Sequence, residues 1–493
     1  MNISKNSLLY VSISILVLFS LPALFFTQVY YDLIELASVW VRKWFGSFYL
    51  WLGLACVMFI TIIAISPLGN QRLGDKNQKP EHSLWSWIAM LYSAGMGAGI
   101  LLRAVQEPVF MLQHPPLNNG VAHKTLALEY TFYQWGFTAW AFYGLFAMVI
   151  GYYLFVKNKR VRVSTAIEDA LPSKFMAACI DILAVITTVF GLIGAIGLGT
   201  TQINGGLNHL LDADFDIGFT IVLSLLISIL AFISVWKGVN KGIKLISKLN
   251  IIITLLLLAF VFFQSDILAI FWAFLNAFYH YIIDFIPMSL AIGNYNPGEE
   301  FLTDWTYYYW AFWLAWAPFT GIFIARISKG RSLRQLLLGV MMIPSLGTFF
   351  WFSVFGESAF GLIQEMDVYQ DQFGNVFTSL FRFFENYPLQ TFVNSVVVFL
   401  LISFLVTSVD SAVFVLSMFT DRGKQEPSRK HRLIWSVFIA FFAVAILVLG
   451  NAKPETDVLQ ALQKILIITS LPFALFMVLM AAIFLKDFLQ KKP

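Results

Sequence analysis

Long apolar segments recur along the whole chain, and they constrain its fold more than any other feature. Most are about 20 residues long, which lets an α-helix cross a hydrocarbon core of roughly 30 Å. Because the bilayer core offers no water to backbone polar groups, such segments must form helices. Only 12% of the 493 residues are charged, against about 25% in soluble proteins. The sequence therefore predicts an all-α polytopic membrane protein.

These segments place about twelve transmembrane helices on the chain. The predicted spans are 9–27, 47–67, 85–112, 127–156, 176–203, 216–236, 248–275, 301–327, 336–364, 388–420, 432–450 and 462–487. Lysines and arginines collect in every second loop, and the loops between hold few or none. Since basic loops remain on the cytoplasmic side, we predict a multi-pass protein of the bacterial inner (plasma) membrane with both termini in the cytoplasm.

One apolar segment, 276–300, does not suit a further span. It is rich in aromatic residues but is interrupted by His280, Asp284 and Pro287. An amphipathic helix of this kind can lie in the plane of the membrane interface. We predict such a helix on the outer side of the membrane.

The stretch GMGAG (residues 95–99) lies near the middle of the predicted span 85–112. Irregular backbone at membrane depth occurs where it lines a cavity, and secondary transporters hold substrates and ions at such breaks. One interpretation is therefore an unwound segment that offers backbone carbonyls. The alternative is that the glycines only let neighbouring helices pack closely.

A second polar cluster lies deep in span 388–420, where Thr407, Ser408, Asp410 and Ser411 follow one another closely. Hydroxyl and carbonyl oxygens are ligands of the kind that alkali cations require. The alternative is that these hydroxyls bond back to carbonyls of their own helix. Asp410 is harder to explain in this way, because a carboxylate inside a membrane is usually functional or paired.

Two segments carry rows of aromatic residues. The rows are Trp135, Trp140 and Tyr143 in the first, and Trp310, Trp313 and Trp316 in the second. Members of the second row are three residues apart and share one slowly drifting helix face. Belts of tryptophan cluster at the ends of a span, whereas this row continues into the interior. Because aromatic faces bind quaternary ammonium cations, the rows favour a cavity for such cations over a belt or simple packing.

At residues 305–335, WTYYYWAFWLAWAPFTGIFIARISKGRSLRQ, the sequence resembles the betaine/choline/carnitine transporter family. The likeness extends to GMGAG with its following Glu-Pro, to 188–204 and to 406–412, and so covers nearly the whole chain. The resemblance implies a LeuT-like fold in one transmembrane domain. It would consist of two extra N-terminal helices (1–84), a first five-helix repeat (85–275), the interfacial helix (276–300) and an inverted second repeat with a short tail (301–493). It also implies a homotrimer in the lipid bilayer.

The resemblance also implies site residues. The positions that correspond to the family's substrate site and its aromatic box are those of Met96, Trp135, Trp140, Tyr143, Phe312, Trp313 and Trp316. A sodium site would combine Thr407 and Ser408 with backbone carbonyls near Ser93 and Met96. Thr188 matches one ligand of a second sodium site. Two departures are Phe312, where the family usually has tryptophan, and Leu192, where the second sodium site would need a hydroxyl.

Arg103 is a third departure, because the family usually has an aromatic residue there. It precedes Glu107 by four residues, which makes the two neighbours on a helix face, and a paired arginine is far less costly in a membrane than a lone one. Arg103 could form an internal ion pair, bind the acidic group of a zwitterionic or anionic substrate, or replace a coupling cation with a fixed charge. The sequence leaves all three open.

Together these features predict a secondary active transporter of a small quaternary-ammonium or zwitterionic solute, such as glycine betaine, choline or carnitine. It would work by alternating access, with sodium as the coupling ion and no other cofactor. The alternative is a proton-coupled or exchange transporter of a related solute whose acidic group binds Arg103. The six histidines are scattered and form no HExxH motif, so nothing indicates an enzyme, and no feature points to nucleic acid. Broken helices favour a transporter over a channel.

Overall fold

The computed structural model describes residues 6–490 except 76, 96, 169, 171–172, 238–239, 365–368, 422 and 425, and only the backbone of 92–95, 237 and 240–244. Within this part of the chain every regular element is helical, apart from one isolated bridge between Arg72 and Ser332. The α-helices are α1 (Ser7–Phe25), α2 (Thr27–Ile65), α3 (Leu84–Gly95), α4 (Ala98–Arg103), α5 (Gln106–Gln113), α6 (His123–Trp135), α7 (Phe137–Phe155), α8 (Lys174–Leu211), α9 (Ile217–Lys237), α10 (Asn240–Gln264), α11 (Ile267–Leu290), α12 (Glu299–Phe301), α13 (Tyr308–Ile327), α14 (Leu333–Gln364), α15 (Ser379–Phe384), α16 (Gln390–Thr420), α17 (Arg429–Gly450) and α18 (Val458–Gln490). The predicted all-α polytopic fold is confirmed.

Twelve helical segments of the described chain are long and apolar enough to cross a membrane. The number agrees with the predicted one, but the set differs. The predicted span 85–112 is divided into α3, α4 and α5, none of which is among the twelve. Helix α11 is among them by length and composition, so its placement in the interface stays a prediction.

Several predicted boundaries are wrong: α11 (Ile267–Leu290) replaces the helix predicted at 276–300, α8 continues to Leu211 beyond the predicted 203, and two further spans differ more. The helix predicted at 248–275 ends at Gln264 in the structure. A new helix starts after Asp266, whose side chain caps it by accepting a 3.0 Å hydrogen bond from the amide of Ala269. Helix α2 begins 20 residues before the predicted 47 (47 − 27 = 20). Its charged first half stays helical because Glu35 pairs with Arg42 at 3.4 Å and with Lys464 of α18.

The centre of the molecule is the contact between α7 and α13, and almost every residue of α7 is buried. Glycine makes this contact close: a Cβ on Gly321 would lie 2.6 Å from the ring of Phe146. Helix α8 approaches α13 in the same way, since a Cβ on Gly191 would lie 3.2 Å from Ala315. In a bilayer, where helix association depends on van der Waals packing, small residues at such crossings bring the backbones together.

Regular α-helix is interrupted at several places around this centre. Helix α3 ends at Gly95 and α4 begins at Ala98, with Gly97 extended between them (φ −126°, ψ −168°). The predicted span 127–156 is also broken, at Gly136, where the amide of Phe137 donates a 2.9 Å hydrogen bond to the hydroxyl of Tyr281 on α11. A π-helical segment, Leu302–Tyr307, precedes α13. The break predicted at the glycine-rich stretch is confirmed, and the break at Gly136 was missed.

Candidate functional site

A cavity of about 860 Å³ lies where the first two breaks meet helices α8, α13 and α16. It brings together residues from the glycine-rich stretch, the polar cluster of α16 and both aromatic rows. The predicted site residues that line it are Trp135, Tyr143, Phe312, Trp313, Trp316, Thr407 and Ser408. This volume suits a small organic solute, since ligand pockets commonly measure about 300–1,000 Å³.

Aromatic rings form one wall of the cavity. Trp313 is the central member: its ring centroid lies 5.2 Å from that of Trp135, 6.2 Å from that of Tyr143 and 5.1 Å from that of Phe312. All three contacts are edge-to-face, with interplanar angles between 71° and 88°. Because their planes are steeply inclined to one another, these rings face the cavity from more than one direction. Trp140 is buried and packs at 5.6 Å against Tyr143, and the structure places it behind the wall rather than on its surface.

Hydrogen bonds fix the two indoles of this wall. The Nε1 of Trp313 donates to the backbone oxygen of Gln134 at 2.9 Å. The Nε1 of Trp135 lies 3.1 Å from Oε2 of Glu107 and 3.1 Å from the hydroxyl of Tyr309, which itself donates to Glu107. A buried indole N–H normally has a partner of this kind. The ring faces are therefore held toward the cavity before a ligand arrives.

The break between α3 and α4 forms another part of the wall, through Gly97, Ala98 and Gly99. A Cβ on Gly97 would have no described atom within 4 Å, and one on Gly99 would lie 3.5 Å from the ring of Trp135. Glycines that serve close helix packing would show short contacts here, as Gly191 and Gly321 do. At Gly97 the structure therefore favours an opened backbone over tight packing, and Gly99, inside α4, faces the cavity.

Polar side chains of α16 face the same space. The hydroxyl of Thr407 donates to carbonyls of its own helix at Ser403 and Phe404 (2.9 and 3.0 Å), which leaves its lone pairs free to accept or ligate. Ser408 and Asp410 also line the cavity. Met96 and the side chain of Ser93 lie outside the described residues, so the structure does not test the predicted sodium site.

The remaining predicted residues lie away from the cavity. Thr188 is buried in α8, and its hydroxyl donates to the carbonyl of Ala184 at 2.8 Å. Neither Thr188 nor Arg103 is among the residues that line the cavity.

Arg103 lies in a buried polar cluster on the far side of Trp135. Its Nη1 donates to Gln106 at 2.6 Å, its Nε lies 4.0 Å from Oε2 of Glu107, and its guanidinium lies 4.9 Å from the ring of Trp305. The predicted neighbour relation to Glu107 is present although α4 ends at Arg103 and α5 begins at Gln106. Among the three interpretations, this placement favours the internal ion pair.

The cavity extends to one end of the helix bundle. Glu81, His82, Arg326 and Lys329 line it there, at loops that are rich in lysine and arginine. The aromatic wall lies at the other end, beside the cluster around Glu107. Access to the cavity in this structure is therefore from the side of the basic loops.

The sequence profile of the betaine/carnitine/choline family of transporters matches residues 7–493. The chain belongs to the betaine/carnitine/choline transporter family. It is 35% identical to the glycine betaine transporter of Bacillus subtilis, over 90% of this chain and 87% of that protein. It is 33% identical to the ectoine/hydroxyectoine transporter of Virgibacillus pantothenticus (89% and 88%) and 33% identical to the high-affinity choline transport protein of Escherichia coli K12 (94% and 69%).

Membership in this family settles the class of the protein. Its relatives are transporters, so the chain is a multi-pass membrane transporter and not an enzyme. The predictions of family, of membrane embedding and of a small-molecule substrate are confirmed at this level.

Some residues that line the cavity were not predicted from the sequence. Gln202 and Asn250 line the cavity from α8 and α10. Gln202 is fully buried and neither polar atom of its side chain has a described hydrogen-bond partner, while Asn250 accepts a 2.6 Å hydrogen bond from Ser403. Polar side chains inside apolar spans are costly and tend to face a cavity, and this signal could have identified both.

Proposed function

We propose that the chain carries a small quaternary-ammonium or zwitterionic solute of the glycine betaine, choline and carnitine class across the bacterial plasma membrane. The observation that carries this proposal is the aromatic wall of Trp135, Tyr143 and Trp313 inside an 860 Å³ cavity. A trimethylammonium group enclosed by ring faces gains cation–π attraction of about 2 kcal/mol where water is excluded. The relatives named for glycine betaine and choline support the same class.

Transport would proceed by alternating access. The cavity opens toward the basic loops, while buried groups around Glu107 and Trp305 close the opposite end. Arg326 and Lys329 mark the open end, and their loop is basic, as cytoplasmic loops are. We therefore assign this structure to an inward-facing state with both termini in the cytoplasm.

We propose sodium as the coupling ion, bound by the hydroxyls of Thr407 and Ser408 with backbone carbonyls of the break near Ser93 and Met96. In support, both hydroxyls line the cavity that Gly97 and Gly99 also line. A cation there would join α16 to the broken helix, so its binding would couple to the geometry of the substrate wall.

The test is uptake by purified protein in proteoliposomes. Radiolabelled glycine betaine, choline, carnitine and ectoine are compared under an inward sodium gradient and an equal potassium gradient, with no pH gradient. We expect concentrative, saturable uptake of at least one solute that requires sodium and is lost in Ser408→Ala. Uptake that is non-saturable and never concentrative would contradict the transporter proposal.

Proton coupling is the alternative, and one observation favours it. Asp410 lines the cavity two residues beyond Ser408, and its Oδ1 has no described hydrogen-bond partner. A carboxylate in this position can carry a proton in place of sodium. Under this alternative, uptake in the same vesicles follows an imposed pH gradient without sodium and is lost in Asp410→Asn.

We further propose that the protein assembles as a homotrimer. Large apolar side chains are exposed on α2 and α11, among them Trp40 and Trp272. Part of this surface faces lipid and part is available to other copies. Native mass spectrometry of the protein in detergent should show three chains, and a monomer under mild conditions would contradict the proposal.

A further inference from the structure

Three ionisable side chains form a cluster between α6 and α11, outside the central cavity. Glu129 lies on α6, and His280 and Asp284 lie one turn apart on α11. One nitrogen of His280 and one carboxylate oxygen of each acid lie within 4.8 Å of one another. Donor atoms bound to one metal ion at about 2.0–2.2 Å lie roughly 3–4 Å apart, so small side-chain movements would bring all three onto one ion.

Glu129 supplies an independent sign of a missing ligand. The residue is 1% exposed, and its Oε2 has no hydrogen-bond partner among the described residues. Neither Glu129 nor Asp284 forms an ion pair with a lysine or arginine in the described chain. A buried carboxylate oxygen without a partner is costly, and two carboxyl groups side by side require a cation or a shared proton.

The surroundings of Asp284 resemble the outer shell of a metal site. The hydroxyl of Tyr295 donates to its Oδ1 at 2.6 Å, and the Nδ1 of His280 lies 3.4 Å from its Oδ2. The hydrogen bond from Tyr295 is of the kind that orients a metal-binding carboxylate from outside the ligand set, and the short distance to His280 places a second donor beside that carboxylate. The side chain of His280 is 32% exposed while that of Asp284 is 9% exposed, so an ion could enter past the imidazole.

We propose that Glu129, His280 and Asp284 bind one divalent transition-metal ion, with Zn²⁺ the best fit. Imidazole nitrogen with carboxylate oxygens is a zinc donor set, and three protein ligands leave a fourth position for water. Calcium and magnesium prefer oxygen ligands alone. The ion joins the largely exposed helix α11 to α6, the helix that ends at Trp135 of the cavity wall.

The site lies far from the open end of the cavity. Tyr130, next to Glu129, packs at 5.4 Å against Phe301, which precedes α13. Arg326 at the other end of α13 lines the open end of the cavity. The 20 residues of α13 span about 30 Å. None of the three ligands lines the cavity, so Zn²⁺ binding can be measured without the solute.

Zinc binding to the full-length, tag-free protein in detergent tests the proposal. After EDTA treatment, Zn²⁺ is titrated against a chromophoric chelator, and the melting temperature is followed with and without Zn²⁺. We expect one Zn²⁺ per chain and a higher melting temperature with the metal. His280→Ala and Asp284→Asn should each weaken binding by at least roughly 10–100-fold, the loss that removal of an outer partner of a metal ligand already causes.

His209→Ala is the matched control, because His209 also faces a carboxylate, Glu385, at 3.5 Å but belongs to no described three-ligand cluster. It should bind Zn²⁺ like the native protein. His280→Cys should retain binding, since a thiolate also ligates zinc. X-ray absorption of the native zinc form should show nitrogen and oxygen ligands without sulfur.

Absence of stoichiometric Zn²⁺ binding by the native protein would overturn the proposal and leave a proton shared between the two carboxyl groups. Equal weakening by His209→Ala, or sulfur ligands in the native zinc form, would also overturn it. Zn²⁺ binding by the native protein is measured independently of whether any variant folds.

Discussion

Trp313 illustrates how single residues define the cavity. Its ring contacts three other aromatic residues of the wall, and its N–H is tied to the backbone of Gln134. The side chain therefore supplies a ring face whose direction is set by the neighbouring helix. Flexible side chains would lose entropy on binding, whereas this one is already ordered.

Trp313→Ala should weaken the binding of glycine betaine by about 5–30-fold. The change removes a cation–π contact of about 1–2 kcal/mol, and about 1.4 kcal/mol corresponds to tenfold. The dissociation constant of Trp313→Phe should lie between those of the native protein and Trp313→Ala, because phenylalanine keeps a ring but loses the hydrogen bond to Gln134. Isothermal titration with glycine betaine measures the effect.

Trp351→Phe is the control for this series, since Trp351 is buried against Phe355 and does not line the cavity. It should leave the dissociation constant unchanged. A native dissociation constant for Trp313→Ala would mean that the solute binds elsewhere.

Arg103→Gln should lower the stability of the protein without changing its choice of substrate. Removing the guanidinium leaves Glu107 buried without a cation, which in comparable pairs costs about 3–5 kcal/mol. Because Arg103 does not line the cavity, the ratio of glycine betaine to choline uptake should stay at the native value. Thermal melting and paired uptake assays measure the two effects.

Glycine betaine carries a carboxylate and choline does not, so choline uptake is the control for an effect of Arg103 on the carboxylate. Selective loss of glycine betaine uptake would show that Arg103 binds the acidic group. Loss of sodium dependence would show that its charge replaces the coupling cation.

At the scale of helices, the two breaks differ in what surrounds their glycines. A Cβ on Gly136 would lie 2.5 Å from the carbonyl oxygen of Phe132 and 2.6 Å from the ring of Phe349. A Cβ on Gly97 would meet no described atom within 4 Å. The first break is packed tightly, and the second faces open space.

Gly136→Ala should therefore destabilise the protein by about 1–3 kcal/mol, as overpacking commonly does, and Gly97→Ala should leave the melting temperature close to native. Gly97→Ala still places a methyl group in the cavity wall, so it should alter uptake more than stability. Thermal melting of both purified variants separates the two breaks. Equal melting temperatures would contradict this description of their packing.

The same elements show what can be predicted from the sequence. The break at Gly97 was predictable because alternate glycines stand inside an apolar span. The break at Gly136 was not predictable, because one glycine among aromatic residues is typical of continuous helix. The amide that the break exposes, that of Phe137, bonds to Tyr281, which is distant in the sequence. The start of α11 was missed because a single aspartate, Asp266, sets it within an apolar run.

The cavity residues show the same limit. Rings of Trp135 and Trp313 were predictable as site residues through their motif, but their fixed directions come from Glu107 and Gln134, which tertiary packing supplies. The surroundings of Arg103 also include Trp305 from a distant segment. Local patterns identify which residues gather, and long-range packing decides which of them reach the cavity.

For the whole molecule, the proposed inward-facing orientation predicts that bound substrate protects the cavity lining from chemical modification. A cysteine introduced at Ala195, which lines the cavity, should react with a maleimide applied from the cytoplasmic side, and saturating glycine betaine should slow the reaction. Native Cys179 is exposed and does not line the cavity, so its reaction rate should not depend on the solute. Mass spectrometry of the labelled peptides gives both rates.

Protection of Cys179 as strongly as the introduced cysteine would indicate a general change in accessibility rather than occupancy of the cavity. Reaction only from the opposite side would reverse the proposed orientation.

The hydroxyl of Tyr281 reaches from α11, a helix with many exposed apolar side chains, to the amide of Phe137, two residues after Trp135. An amide left bare in this dry interior would cost about 1–3 kcal/mol. Tyr281 therefore connects the exposed helix α11 to the break that follows Trp135. A neighbouring subunit or a lipid that displaced α11 outward would strain this break and the indole beside it.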